Sequence, residues 1–356
     1  MSMNMTHRDF NTHRPPNSDA PLLVADDVKV HFPVTSGFLR KTTRYIRAVD
    51  GISLEIRAGE TLSIVGESGC GKTTFGQALV RVLEPTHGRI IYRAGERETD
   101  IAHLGPAELR PFRADIRMIF QDPFASLNPR RRVIDIIGEP LRNFGMKDEK
   151  EVRENVADLL RRVGLRPEYM SRYPYAFSGG ERQRIGIARA LSVRPKLVVA
   201  DECISALDVS IQAQTLNLLQ DLQEEFDLTY VFISHDLSVV EYISDRVAVM
   251  YAGRVVELAS TDELFERPRH PYTAALMASV PRADPRLARS QKRMRLKGEV
   301  ADPANRPVGC AFHPRCPFAT DQCRQSDPAL RMVGSTEVAC HHAEQLQLEG
   351  VRRNAG

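Results

Sequence analysis

The fold class predicted for this chain is an α/β domain built on a mostly parallel sheet, and three observations carry it. A glycine-rich octapeptide, Gly66-Glu67-Ser68-Gly69-Cys70-Gly71-Lys72-Thr73, stands early in the sequence. The run before it, Thr61 to Val65, has the apolar texture of a buried parallel strand, and the run after it, Thr74 to Leu83, reads as a helix. From about Leu22 to Leu258, strand-like and helix-like segments then alternate without a clear break.

The octapeptide has the spacing G-x-x-x-x-G-K-T of a phosphate-binding loop, in the strand–loop–helix context that loop requires. Glycines permit backbone angles closed to other residues, so successive N–H groups can turn inward and, with the helix N-terminus, receive an anion. Lys72 can reach the β- and γ-phosphates of a nucleotide, and the Thr73 hydroxyl can hold Mg²⁺. Cys70 lies near a helix N-terminus, where a thiol pKa can fall and make nucleotide binding redox-sensitive; its other reading is inert filler.

Further along, Val152, Val156, Leu159, Leu160 and Val163 recur at helical spacing, giving one apolar face over Lys150 to Leu165. Ser178 can cap a helix beginning near Gly180, and Gly179 and Gly180 expose its first amides as a second anion site. Leu197 to Ala200 is an apolar strand ending in two carboxylates. Asp201 suits Mg²⁺ through water, and Glu202 suits the polarisation of an attacking water. Tyr230 to Ile233 is another central strand. Asp208 can cap the helix carrying Ile211, Leu218, Leu219 and Leu222 on one face. Two phosphate-binding surfaces on one chain imply that two chains close around each nucleotide.

Composition sets bounds on function. The chain has 356 residues, 42% of them hydrophobic and 27% charged, which fits one large or two unequal globular domains. A net charge of +3 is too small to argue for nucleic acid. No apolar stretch approaches the roughly 20 residues of a membrane helix. Residues 1–20 are polar, lack an apolar signal core and read as a mobile tail, so the chain reads as cytosolic.

Taken in order along the chain, these motifs resemble the ATP-binding subunits of ABC transporters. The Walker A motif matches Gly66 to Thr74 and the Walker B motif Leu197 to Glu202. The signature motif appears as Phe177 to Glu181, with Phe and Glu at its two ends. The Q-loop matches Gln121, the D-loop Ser205 to Asp208, and the switch histidine His235. The resemblance implies a P-loop cassette with a mixed sheet over residues 21–267, including a helical subdomain at about 122–192. It implies that Gln121 senses the γ-phosphate and touches Mg²⁺, that His235 holds the γ-phosphate and attacking water, and that Asp208 joins the halves of a dimer. Ser178 and Gly180 would bind the γ-phosphate in the partner's site. Phe32, then Tyr45, are the candidates for stacking on adenine. The family usually has Pro after the Walker B glutamate, where this chain has Cys203; that position shapes a turn and carries no chemistry.

The tail narrows the resemblance. Arg269-His270-Pro271-Tyr272-Thr273 and the run Gln121 to Arg130 are similar to the oligopeptide/dipeptide importer ATPases, and to the second ATPase of the pair such operons encode. This implies a heterodimer with a second ATPase, two membrane permease subunits, and an extracytoplasmic binding protein delivering peptide. The chain would sit peripherally on the cytoplasmic face of the membrane. A cargo of nickel or glutathione, or a soluble ABC-type ATPase of DNA repair or translation, are the alternatives. One compact cassette without long insertions or a basic stripe argues against the latter.

Residues 268–356 form an extension whose periodicity fades between Pro281 and Pro307, where a linker or arm is expected. A small cysteine-rich module follows, with the spacing Cys310-x5-Cys316-x6-Cys323-x16-Cys340. Four thiolates suit zinc or an iron–sulfur cluster, and reduced thiols are a third option. Tight C-x2-C pairs are absent, and members of the resembled subfamily can carry a 4Fe–4S cluster on such a tail. His341 and His342 are spare ligands or surface residues.

Overall fold

The computed structural model describes residues 20–36, 41–95, 97–122, 125–205, 207–279, 301–302 and 304–351. The expected N-terminal tail, most of the arm after Pro281, and Pro123, Phe124 and Ala206 of the recognised motifs lie outside them.

Two strands open the chain, β1 (Pro21–Ser36) and β2 (Lys41–Arg57). They are followed by β3 (Thr61–Val65), α1 (Lys72–Leu79), β4 (His87–Ala94), β5 (Arg97–Asp100), two single-turn helices, α2 (Pro106–Leu109) and α3 (Phe112–Asp115), and β6 (Ile116–Ile119). The helices α4 (Val133–Asn143), α5 (Glu149–Arg162) and α6 (Gly179–Leu191) come next. Then follow β7 (Leu197–Asp201), α7 (Val209–Phe226), β8 (Thr229–Ile233), α8 (Leu237–Ile243), β9 (Arg246–Tyr251), β10 (Arg254–Ser260), α9 (Thr261–Glu266) and α10 (Pro271–Met277). Two short strands complete the sheet framework, β11 (Arg331–Val333) and β12 (Thr336–Val338).

The main sheet has the order β11-β12-β10-β9-β3-β8-β7-β6. Its five strands from β9 to β6 are parallel, and β3, β7 and β8 are buried along their whole length. Continuous apolar runs are what a sheet covered on both faces demands. β9 turns into β10 through Ala252 and Gly253, both at positive φ (46° and 81°), as a two-residue hairpin requires.

A second sheet, β2-β1-β4-β5, is wholly antiparallel. It adds an antiparallel layer to the mostly parallel main sheet, giving the mixed architecture that the family resemblance implies. Its inner face (Leu23, Val28, Ile52, Ile56, Ile90) shares a core with Phe75 and Leu79 of α1 and with Leu62 and Ile64 of β3. That core clamps α1, and with it the loop that precedes it. α1 ends at Leu79 rather than Leu83, because Arg81 takes a left-handed φ of 56°.

Between β6 and β7, helices α4 to α6 share a core of Val133, Ile137, Val152, Val156, Leu160 and Ile185. Asp148 caps α5 by accepting the N–H of Lys150. Asp208 stands at the N-cap of α7, but its carboxylate makes no capping hydrogen bond, so that expectation is corrected.

The tail joins the main sheet while keeping a small core of Val333, Val338, Cys340 and Ala343. β12 pairs with β10 (Glu257 with Val338, Leu258 with Glu337), so the chain after the arm returns to extend the main sheet. Phe312 enters a core with Tyr251, Phe265 and Tyr272.

Candidate nucleotide site

The candidate site lies at the C-terminal ends of the parallel strands, where ligands bind in sheets of this kind. Its floor is the loop from Gly66 to Gly71. Two glycines there are obligatory on steric grounds. Gly66 has φ 153°, and a Cβ on it would lie 2.3 Å from the Met250 carbonyl oxygen. Gly71 has φ 104°, and a Cβ would lie 2.0 Å from the Ala48 carbonyl oxygen. The loop is therefore pressed between the end of β9 and the body of β2.

Lys72 is buried, and its ammonium donates to the carbonyls of Gly66 (2.8 Å) and Glu67 (3.0 Å). It is folded back across the loop that its charge would serve. The Thr73 hydroxyl donates to Asp201 Oδ1 at 3.0 Å, joining the start of α1 to the end of β7. Burial pushes the Asp201 carboxyl above its ordinary range, against the pull of the Thr73 hydrogen bond. A divalent cation would remove that penalty, and a hydroxyl beside a carboxylate is the oxygen donor set Mg²⁺ prefers.

Glu202 is the meeting point of three strand ends. It holds a left-handed φ of 43°, a strained geometry for a non-glycine residue, fixed by its N–H donating to the Ile233 carbonyl at 2.9 Å. Gln121, two residues past β6, donates Nε2 to Glu202 Oε2 at 2.9 Å. His235, two residues past β8, places Nδ1 3.3 Å from the same oxygen. Gln121 and His235 thus meet on Glu202, which directly follows the Asp201 that Thr73 contacts, with Lys72 one residue before Thr73. The cluster brings together a carboxylate with two polar contacts, a hydroxyl–carboxylate pair and an ammonium.

Ser178 caps α6 in a reciprocal box. Its hydroxyl accepts from the N–H of Glu181 at 3.3 Å, and Glu181 Oε2 accepts from the Ser178 N–H at 2.9 Å. Glu at the last signature position thus serves the same capping geometry that Gln would. Gly179 and Gly180 form the first turn of α6 with their amides at its N-terminus. The hydrogen bonds of the Ser178 N–H and hydroxyl all run to Glu181. Phe32 and Tyr45 are both exposed on the β1–β2 ribbon, at neighbouring registers (Phe32 with Ile46, Pro33 with Tyr45), and the geometry does not choose between them.

Two cysteine expectations are settled by burial. Cys70 is buried, and desolvation raises its thiol pKa despite Lys72 nearby, which favours the inert-filler reading over a redox-sensitive thiol. Cys203 is buried too, and its thiol is pushed up to about 12. Both are packing residues.

All six cysteines are free. Cys310, Cys316, Cys323 and Cys340 line one small pocket with His341 and His342. Burial first, and then the proximity of their neighbours, pushes the thiols of Cys310, Cys316 and Cys340 up to about 11. Among the described residues no group of three or more His, Cys, Asp or Glu is placed closely enough to hold a metal ion as it stands. His341 and His342 are half-buried, with His341 Nε2 3.0 Å from the Ser326 carbonyl oxygen and His342 Nε2 3.0 Å from the Thr320 hydroxyl.

Two contacts were not foreseen. The N–H of Glu67 donates to the Tyr272 hydroxyl at 2.8 Å, and its carboxylate is gripped by Arg315 at 2.6 and 2.9 Å. Tyr272 stands inside a recognised tail segment, but nothing in the local sequence marks Arg315.

A phosphate loop, a hydroxyl–carboxylate pair and a strand-end glutamate define a nucleoside-triphosphate hydrolase of the phosphate-loop class. The sequence profile described as "ABC transporter" matches residues 49–205, and that described as "Oligopeptide/dipeptide transporter, C-terminal region" matches residues 256–323. The chain is 51% identical over 322 residues to the oligopeptide transport ATP-binding protein AppF of Bacillus subtilis (strain 168), covering 90% of this chain and 97% of the relative. It is 48% identical over 328 residues to the oligopeptide transport ATP-binding protein OppF of Escherichia coli (strain K12), covering 91% and 97%. The dimeric post-hydrolysis structure of the ATP-binding cassette MJ0796, bound to ADP and Pi, superposes with a TM-score of 0.58 at 27% identity, covering 67% of this chain and 98% of that one. The chain belongs to the oligopeptide and dipeptide transport ATP-binding proteins of the ABC transporter family, and it is an ABC-type ATPase.

Proposed function

We propose that this chain is the ATP-hydrolysing subunit that powers import of di- or oligopeptides through an ABC transporter. The observation that carries the reading is the convergence of Gln121 and His235 on Glu202, one residue beyond the Asp201–Thr73 pair. The relatives' names supply the cargo class.

The site residues have these roles. Loop amides and Lys72 hold the β- and γ-phosphates, with Lys72 exchanging the Gly66 and Glu67 carbonyls for phosphate oxygens. Thr73, Asp201 and Gln121 hold Mg²⁺. When bound, Mg²⁺ neutralises charge on the phosphates and orients them. Glu202 accepts the proton of the attacking water, and His235 orients that water and the γ-phosphate. Phe32, with Tyr45 second, stacks on adenine. Ser178, Gly179 and Gly180 of a partner cassette close the cleft, and Asp208 lies at that junction.

The partner is a second, homologous ATPase, and the pair sits beneath two membrane permeases served by a binding protein. The chain's place is peripheral, on the cytoplasmic face of the membrane; among the described residues no helix is long and apolar enough to cross one. Bound ATP holds the cassettes together and hydrolysis releases them, shifting the permeases between two populations. Because each cleft is built from two chains, specific activity is expected to rise with protein concentration and to saturate. Rates measured across a dilution series, with and without the second ATPase, test this. A specific activity independent of concentration and of the partner refutes the shared cleft.

Residues 21–267 form the cassette, with about 122–192 as its helical subdomain, and residues 268–356 form an extension. In that extension we favour a 4Fe–4S cluster on Cys310, Cys316, Cys323 and Cys340, with zinc as the alternative. Its support is the return of four cysteines to one pocket. The cluster would tie distant parts of the tail together. Anaerobically purified protein is expected to contain about four irons per chain and a broad visible absorption. Stoichiometric zinc without iron reverses the choice, and neither metal leaves reduced thiols.

A further inference from the structure

We propose that Arg315 is a positioning residue for nucleotide binding, delivered by the cysteine-bearing tail to the second residue of the phosphate loop. The inference rests on the reading of that loop as the ATP site.

Glu67 directly follows Gly66 at the start of the loop, and it is held at two points by the tail. Its main-chain N–H is bonded to the Tyr272 hydroxyl, and its carboxylate receives two guanidinium hydrogen bonds from Arg315. The contacts span 205 and 248 residues of sequence. Arg315 is 7% exposed, and its Nε has no hydrogen-bond partner. A nearly buried guanidinium spending its fork on one carboxylate is placed for that carboxylate.

The arginine is itself fixed. Its guanidinium carbon lies 5.8 Å from the centre of the Tyr251 ring, which ends β9 beside the loop. Three residues earlier, Phe312 packs against Tyr251 (5.3 Å), Tyr272 (5.5 Å) and His270 (5.6 Å). This aromatic cluster, rather than the loop, sets where the guanidinium stands.

The physical need is electrostatic. A carboxylate at the start of an anion-binding loop has the wrong sign for a polyphosphate, and Coulomb repulsion across a few ångströms acts directly on affinity. Arg315 neutralises that charge and holds it in one position, so that the loop amides are already arranged when nucleotide arrives. Without Arg315, the Glu67 charge stands uncompensated and the loop loses an anchor.

The test compares Arg315→Ala, Arg315→Lys, Glu67→Gln and Glu67→Gln/Arg315→Ala in the full-length chain with the parent. Fluorescent ATP analogue with Mg²⁺ is the binding probe, and KM and kcat are measured for MgATP. Arg315→Ala is expected to raise Kd and KM roughly tenfold, equivalent to about 1.4 kcal/mol, with kcat changed less than about twofold. Arg315→Lys, which offers charge without the fork, should recover part of the loss. The double variant should bind more tightly than Arg315→Ala alone, because the stranded charge is gone. A merely structural role predicts the opposite pattern: lower thermal stability and active fraction, unchanged KM, and no relief from Glu67→Gln. That pattern, or an Arg315→Ala protein with the parent's Kd, overturns the proposal. A parent that binds without hydrolysing would sink the hydrolysis reading, while the ratio of binding constants still decides on Arg315.

Discussion

Glu202→Gln is expected to bind MgATP and hold it without turning it over. The substituted amide keeps the shape of the carboxylate, and its oxygen can still accept the hydrogen bond that Gln121 now donates at 2.9 Å. The left-handed turn at residue 202 is fixed by the main chain and is unaffected. What disappears is the base. General-base catalysis contributes on the order of 10²–10⁴ in rate, so single-turnover hydrolysis should fall by about that factor. Nucleotide affinity should hold or increase, and the ATP-bound dimer should accumulate in size-exclusion chromatography. Hydrolysis at the parent's rate would remove Glu202 from the mechanism.

Gly71→Ala is expected to abolish nucleotide binding and lower stability. The added carbon would sit 2.0 Å from the Ala48 carbonyl oxygen, far inside van der Waals contact. β2 cannot withdraw easily, because Val49 is paired in register with Val30 of β1. The backbone at Gly71 is also at φ 104°, a conformation that costs a non-glycine residue roughly 1–3 kcal/mol. Gly69→Ala is the graded comparison. It shares the positive φ, at 79°, but its Cβ would meet nothing within 4 Å. It should therefore show only the backbone penalty, roughly 1–2 kcal/mol. Thermal unfolding and binding of a labelled nucleotide, measured on both variants, check the ordering. Equal losses would mean that the clash with β2 is relieved.

The parts of the site legible in the sequence are those with short-range signals. Asp201 and Glu202 could be read because two acids follow a fully apolar strand, and strand ends are where such sheets place their ligands. Ser178 could be read as a cap because Glu181 stands three residues on. Other features carry no local signal. The antiparallel sheet was hidden because β1 and β2 pair with several register shifts, which blur a period-two pattern. β11 and β12 have three residues each, too few for any periodicity. For Cys70 the sequence leaves a redox-sensitive thiol and inert filler both open, because its position beside a helix N-terminus is visible there while its burial is not. The grip of Arg315 on Glu67 depends entirely on how the tail returns across the fold.

That returning tail also finishes the sheet. β10 is largely buried and presents Val255, Val256 and Leu258, and β12 covers its outer hydrogen-bonding edge before β11 ends the row with three residues. A terminal strand this short, carrying an arginine bonded to Glu344, offers little template for another chain. The extension therefore closes one border of the main sheet, leaving a short strand as the outermost element in place of the longer, largely buried β10.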